Sequence, residues 1–449
     1  MLFSKVLLEE IMKVIFCITI VIGMLLLIIG IACQNNESEK ILNGAKIKLI
    51  RKNVPVPESF LLTPSNGSNV AYTISVKNNK CIMVINGEKG NTYNSIGLPN
   101  FSSDGQVVAY AAQEGGKNFI VVDKIEKKKY DRVRSPIFSS DGKTIAYPVR
   151  EGEKSFIVVG EIEKKKYDDV RHPVFSPNGK IIAYTAKENG KWFMVIGETE
   201  IKQYYDDVRS PVFSSNGKVI AYEAKENGKW FMVVGETKYK QYDNITEPVF
   251  SPDGQIIAYA AKEGEKCFLV IGETEKKKYD NVRLPFFSPD GKTIAYAAKE
   301  KGKWFMVVGE TEKKPYDNIR DPVFSPDGQT IAYNANEGEK INDDGCIESD
   351  GKWFVVIGEK EGKKYDQSDM NSPEFSPDGK TIAYVVWTHE ANFVVIGEKE
   401  QEKYIHVSKP IFIDNSVCYF AYDGKNLYRI TKKIDIDSND TSPNSKDTK

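Results

Sequence analysis

Histidine is almost missing from this chain: His172, His389 and His406 are the only three in 449 residues. Metal-dependent lyase chemistry wants clustered imidazoles, and three scattered ones do not supply them. His172 taken alone reads as a hydrogen-bonded surface residue. Net charge is lacking too. Lys+Arg (62) and Asp+Glu (63) leave a formal charge of -1, so no global field draws nucleic acid or an anionic membrane surface. No Gly-x-Ser-x-Gly elbow occurs, which argues against a serine hydrolase. The six cysteines, Cys17, Cys33, Cys81, Cys267, Cys346 and Cys418, show neither metal-ligand spacing nor a disulfide framework. The expectation is a chain without catalytic residues, bound metal or cofactor.

What is present favours strands joined by tight turns. Hydrophobic residues make up 41%, with 23 Tyr, 22 Phe and 34 Gly, and aromatic and β-branched residues suit pleated surfaces while glycine suits turns. Most charges fall in short mixed runs such as Glu126-Lys127-Lys128-Lys129, which read as solvated hairpin ends.

From Val14 to Ala32 nineteen residues carry no charge, enough for the apolar core of a signal segment and nearly enough to span a bilayer. The run ends in Gly30-Ile31-Ala32-Cys33 before polar Gln34-Asn35-Asn36, which resembles a bacterial lipoprotein lipobox. That resemblance implies cleavage before Cys33 and its acylation. Gly30 and Ile31 depart from the usual pattern, so an uncleaved anchor and ordinary secretion stay open. Met12-Lys13 would also make a compact signal start, with residues 1–11 as an upstream extension. In each case the rest of the chain is expected outside the cytoplasm. Residues 1–33 are read as the signal or anchor segment, 34–44 as a polar tether, 45–432 as the repeat domain and 433–449 as a disordered tail.

The repeat is the strongest signal. Turn glycines recur at Gly67, Gly105, Gly142, Gly179, Gly217, Gly254, Gly291, Gly328 and Gly379, in steps of 38, 37, 37, 38, 37, 37, 37 and 51. A tenth, degenerate unit follows from Pro410-Ile411-Phe412. In the unit Pro285–Arg320, Pro285–Ser288 reads as a short strand and Pro289-Asp290-Gly291 as a turn. Lys292–Ala298 and Trp304–Val308 read as strands around Lys299-Glu300-Lys301-Gly302, and Lys313–Ile319 as a fourth. Four short antiparallel strands in about 37 residues make one blade of a β-propeller.

A lone blade exposes apolar surface on both faces, so the units must stack. A parallel β-solenoid is the competitor, but its coils are shorter and lack two hairpin turns per repeat. The last unit supplies only three strands, and Ala45–Arg51 reads as a lone strand in the register of a fourth. The N-terminal strand is therefore expected to complete the tenth blade and remove the free sheet edges. The fold class is all-β, a propeller of about ten four-stranded blades, with two smaller rings as the alternative because ten exceeds the usual four to eight.

The strings Phe250-Ser251-Pro252-Asp253-Gly254, Phe287–Gly291, Phe324–Gly328 and Phe375–Gly379, each with a tyrosine five residues past the glycine, resemble the WD40-like repeat of the TolB type. The resemblance covers about residues 45–432. It implies a protein-binding propeller of the bacterial cell envelope, on the extracytoplasmic or periplasmic side. There are more units than in a TolB propeller, and no separate α/β domain fits between Cys33 and Ala45. The same repeat occurs in peptidase propellers, but only a short tail follows here where a hydrolase domain would lie.

Recurrent residues read as scaffold. The turn aspartates (Asp141, Asp253, Asp290, Asp327, Asp378) are expected to bond their own turns. Tyr-Asp pairs such as Tyr279-Asp280 are expected to tie blades together. Trp192, Trp230, Trp304 and Trp353, with Cys81 and Cys267 at the same position, are expected to pack between sheets. Departures from the repeat mark one rim. The loop entering the innermost strand carries Arg134, Arg171, Arg209, Arg283 and Arg320, followed by Ser135, His172, Ser210, Leu284 and Asp321; Thr246-Glu247 and Ser408-Lys409 hold these places in other units. The candidate ligand rim is thus Arg134, Arg171, His172, Arg209, Glu247, Arg283, Arg320 and Asp321.

Five guanidiniums in an arc suit a carboxylate-rich peptide or an anionic glycan. The structural alternative pairs each arginine with a neighbouring Tyr-Asp carboxylate. An insertion around Asn334–Gly351 falls on the same rim, and its Asp343-Asp344-Gly345 matches no known calcium loop. The sequence thus leads to a membrane-tethered, non-enzymatic scaffold for a protein or peptide partner, expected to be monomeric and not to bind nucleic acid. A glycan-binding or glycan-acting propeller and a purely structural spacer are the alternatives.

Overall fold

The computed structural model describes residues 39–42, 45–52, 59–62, 69–341, 347–366 and 369–434. The apolar segment 14–32, Cys33, Cys346 and residues 435–449 lie outside the described residues. The described residues contain ten antiparallel sheets and no helix. They form one ten-bladed ring rather than two smaller ones.

Blade four shows the pattern: Asp169–Phe175, Ile182–Glu188, Lys191–Ile196 and Thr199–Tyr205, paired in chain order. First strands of adjacent blades touch one another, so they line the inside of the ring, and the chain moves outward through each blade. Boundaries differ from the expectation at the outer edge. In the unit Pro285–Arg320 the fourth strand is only Thr311–Glu312 with a bridge from Trp304 to Tyr316, and Ile319 already belongs to the next blade's first strand, Asn318–Phe324. The Tyr-Asp corner forces this change. Its aspartate turns the chain inward before the apolar pattern resumes.

The turn glycines Gly105 to Gly379 have φ between 69 and 73°, the left-handed region that glycine enters without a side-chain clash. A Cβ on Gly254 would also lie 2.9 Å from Ser215 Oγ and 3.1 Å from Ser214 Cβ in the preceding blade. The turn motif is therefore a close-packing device between blades. Its serine and aspartate act within the turn: Ser288 Oγ donates to Asp290 Oδ1 at 2.6 Å, and Lys292 N and Thr293 N donate to Asp290 Oδ1 and Ser288 Oγ at 3.1 and 3.0 Å.

The core lies between blades. Trp192 and Met194 of blade four pack on Val208, Ile220, Tyr222 and Phe231 of blade five. Cys81 and Cys267 stand where Trp192 stands, opposite Tyr93 and Tyr279 as Trp192 is opposite Tyr205. Outside this core, Tyr167 Oη donates to Glu200 of the next blade at 2.8 Å, and Lys164 and Lys165 pair with Glu198 and Glu200 at 2.6 Å. The Lys/Glu runs are thus cross-blade ladders. Each exposed pair contributes little alone, but the repetition fixes blade-to-blade register.

The ring closes as the sequence implied. Ala45–Arg51 pairs antiparallel with Leu427–Lys433, with Ile47 opposite Ile430, and becomes the fourth strand of blade ten. Phe420, Tyr422 and Leu427 of that blade pack on Val70, Tyr72, Ile74 and Ile82 of blade one. Glu39–Leu42, within the stretch read as a tether, adds a further strand outside Ala45–Arg51.

Candidate functional site

Two loops of each blade from three to eight meet on one rim. The chain entering the first strand passes beside the hairpin between strands two and three, and the Tyr-Asp carboxylate holds them together. Asp168 accepts Asn189 N from its following blade at 2.9 Å and Lys154 Nζ from its preceding blade at 2.8 Å. The same arrangement recurs at Asp131, Asp206, Asp243 and Asp280. These pairs therefore tie blades together, and the carboxylates are held below their ordinary range, first by the lysine hydrogen bond.

Because the Tyr-Asp carboxylates are taken, the rim arginines turn elsewhere. Arg171, Arg209, Arg283 and Arg320 each lie over the indole of their own blade, with guanidinium carbons 4.1, 3.8, 4.0 and 3.7 Å from Trp192, Trp230, Trp304 and Trp353. A planar cation over an indole face is favourable by about 0.5–2 kcal/mol. Polar partners come from the residue after the Tyr-Asp pair. Arg171 Nε lies 3.2 Å from Asp169, and Arg283 donates to Asn318 Oδ1 at 3.0 Å and to the Ile319 carbonyl. Burial, then the Arg320 charge, lowers the Arg283 pKa from its ordinary value. Four of the five guanidiniums are thus committed to stacking on a tryptophan of their own blade. Arg134 is the exception, since Ser155 stands where its indole would be.

Arg171, Arg209 and Arg320 also lie inside their first strands rather than in loops leading to them, because a bulge keeps the strand continuous. Register shifts between Arg171 and Val174, Arg209 and Val212, and Arg320 and Val323. The residue set free in each bulge is His172, Ser210 or Asp321, at φ 50, 41 and 55°. Non-glycine residues adopt this conformation at a cost. Arg134 and Arg283 lie instead between two short strand segments. Asp321 Oδ2 accepts Asn334 Nδ2 at 3.1 Å, and that amide also reaches the Asn371 carbonyl at 3.1 Å. Desolvation, then the charges of Arg171 and Arg134, holds the His172 pKa below its ordinary value. Glu247 stands exposed at the matching place in blade six.

Sequence reasoning missed Glu223. It is 4% exposed on the second strand of blade five, directly opposite Arg209 in register. Desolvation pushes its pKa up to about 7; Arg209 opposes the shift, and Glu247 and Asp207 reinforce it. A carboxyl poised there can donate or accept a proton near neutrality. The signal was present: other repeats put Pro148, Thr185, Ala260, Ala297 and Asn334 at this position. The Arg-Trp stacks were also legible. Arg171, Arg209 and Arg283 each precede their tryptophan by 21 residues, and Thr246, which is no arginine, precedes Cys267 by the same interval.

The insertion is a ribbon rather than a loop. Ile331–Ile341 pairs with Ile347–Ile357 and extends blade eight beyond its neighbours on this rim; residues 342–346, including Asp343, Asp344 and Gly345, lie outside the described residues. No cluster of three or more His, Cys, Asp or Glu side chains suited to a metal occurs among the described residues.

No family model matches the chain, and no curated protein is similar to it in sequence. Similar solved structures include the eukaryotic initiation factor, at 12% identity over 80% of this chain and 97% of that one, with a TM-score of 0.47. TolB from Acinetobacter baumannii aligns at 19% identity over 54% of this chain and 65% of its own, with a TM-score of 0.29. The β-propeller domain of the Trilobed protease from Pyrococcus furiosus aligns at 14% identity over 59% and 94%, with a TM-score of 0.32. These likenesses concern the propeller fold alone.

Proposed function

We propose that this chain is a membrane-tethered, extracytoplasmic propeller that binds a protein or peptide through the Arg-bearing rim and catalyses no reaction. The observation that carries the reading is the trio His172, Ser210 and Asp321, three different side chains held at positive φ at one inner-strand position on one face. The same position in blades three, six and seven (Ser135, Glu247, Leu284) is not at positive φ, and backbone strain held inside a strand at selected blades of a repeat favours binding over spacing. The N-terminal apolar run, with Cys33 as lipid attachment point, supplies the tether, and the protein works as a monomer in the bacterial cell envelope.

Affinity capture from detergent-solubilised membranes tests this. Combined His172→Ala, Ser210→Ala and Asp321→Asn, the last keeping an acceptor for Asn334 Nδ2, should lose the captured partner while the thermal unfolding midpoint is unchanged. A control altered on the opposite rim, Lys292→Ala, should retain it. Equal capture by the rim variant and the unaltered protein overturns the reading.

A further inference from the structure

Blade three breaks the Arg-Trp pattern in a way that leaves room for a ligand. Ser155 is buried where blades four, five, seven and eight place an indole, opposite Tyr167 as Trp192 is opposite Tyr205. A cavity of about 260 Å³ occupies that place, bounded by Arg132, Arg134, Arg150 and Ser155 on one blade and by Asp169 and Val170 on the next. The charges change with it. Arg132 stands where other blades have Asp169, Asp207, Asn281 or Asn318, and Arg150 where they have Lys187, Lys225 or Lys299. Arg132 and Arg134 are exposed and make no side-chain hydrogen bond or ion pair among the described residues, and Arg150 Nε is spent only on the Gly152 carbonyl at 3.1 Å. Asp169, the one acid in the wall, already lies 3.2 Å from Arg171 Nε.

We propose that this cavity binds a planar aromatic anion, whose ring takes the indole's place against Arg134 and whose oxyanion is held by Arg132 and Arg150. The ring follows from the four sibling blades, where the same guanidinium position carries an aromatic face at about 4 Å. The anion follows from three guanidiniums converging without a free carboxylate, a geometry suited to bidentate oxyanion binding. The source is either a free aromatic acid or an aromatic side chain flanked by acids on a peptide.

Calorimetric titration with indole-3-acetate, indole, acetate and the peptide N-acetyl-Asp-Trp-Asp-amide tests this on the full chain. Indole-3-acetate should bind at least about tenfold more tightly than indole or acetate, since each omits one half of the recognition. Peptide binding at comparable strength identifies a partner side chain, and its absence a free acid. Ser155→Trp should fill the cavity and abolish binding. Arg132→Asn with Arg150→Lys, residues that sibling blades carry at these places, should weaken binding at least about tenfold without unfolding the protein. Absence of indole-3-acetate binding, or binding unchanged in both variants, overturns the proposal, and neither outcome bears on partner capture through His172, Ser210 and Asp321.

Discussion

At the residue scale the ring rewards identity from blade to blade, so a single odd side chain carries information. Glu223 is such a residue. Its carboxyl is neutral in the folded protein up to about pH 7, whereas in the unfolded chain it ionises near the ordinary glutamate value of about 4.3. A raised folded pKa means that the native state holds the proton more tightly, so its stabilising effect is full below about pH 4 and is lost as pH rises through 7. Glu223→Gln keeps the size and removes the charge. The variant should match the unaltered protein near pH 4 and exceed it at pH 8 by on the order of 3–4 kcal/mol, a tenfold change in proton affinity being about 1.4 kcal/mol. Denaturant midpoints from pH 4 to 8 measure this, and parallel profiles for the two proteins would refute it.

At the element scale, strand existence was legible and strand ends were not. Period-2 patterning and a turn motif every 37 residues announced the second and third strands of each blade, because those are buried on both faces. The fourth strand is charged and varies from two residues, as in Thr311–Glu312, to seven, as in Thr199–Tyr205, so no apolar alternation marks where it stops. The bulges were silent for a different reason. Arg209-Ser210-Pro211 holds its middle residue at positive φ while the identical Arg134-Ser135-Pro136 does not, and Arg-His-Pro and Arg-Asp-Pro bulge where Arg-Leu-Pro does not. Replacing His172 or Ser210 by glycine relieves the side-chain clash, worth about 1–2 kcal/mol, against an entropy cost of about 0.5–1 kcal/mol for the added backbone freedom. Each variant should therefore unfold at a denaturant midpoint equivalent to about 0.5–1 kcal/mol greater stability. Destabilisation by either would show that its side chain holds the bulge in place, as the bond from Asn334 does for Asp321 in blade eight.

For the whole molecule, the rhythm of the glycines dictated a ring, and the missing fourth strand of the last unit dictated how it shuts. Tyr-Glu bonds, Lys-Asp pairs and turn contacts each join one blade to the next, so every junction resembles the others except the last. That junction depends on chain-distant segments. Ala45 and Ile47 share a cluster with Val407, Tyr419 and Ile430, and removing them exposes both that apolar surface and the backbone edge of Leu427–Lys433. An unpaired edge of this length is a template for association. A chain beginning at Asn53 should therefore aggregate or dimerise in size-exclusion chromatography and melt earlier than one beginning at Ala45. A synthetic peptide of residues 45–51 added in trans should restore the monomer, because the vacant place offers a ladder of six paired residues and a ready apolar pocket. A truncated chain that stays monomeric, melts unchanged and ignores the peptide would mean that neighbouring blades hold blade ten without its fourth strand.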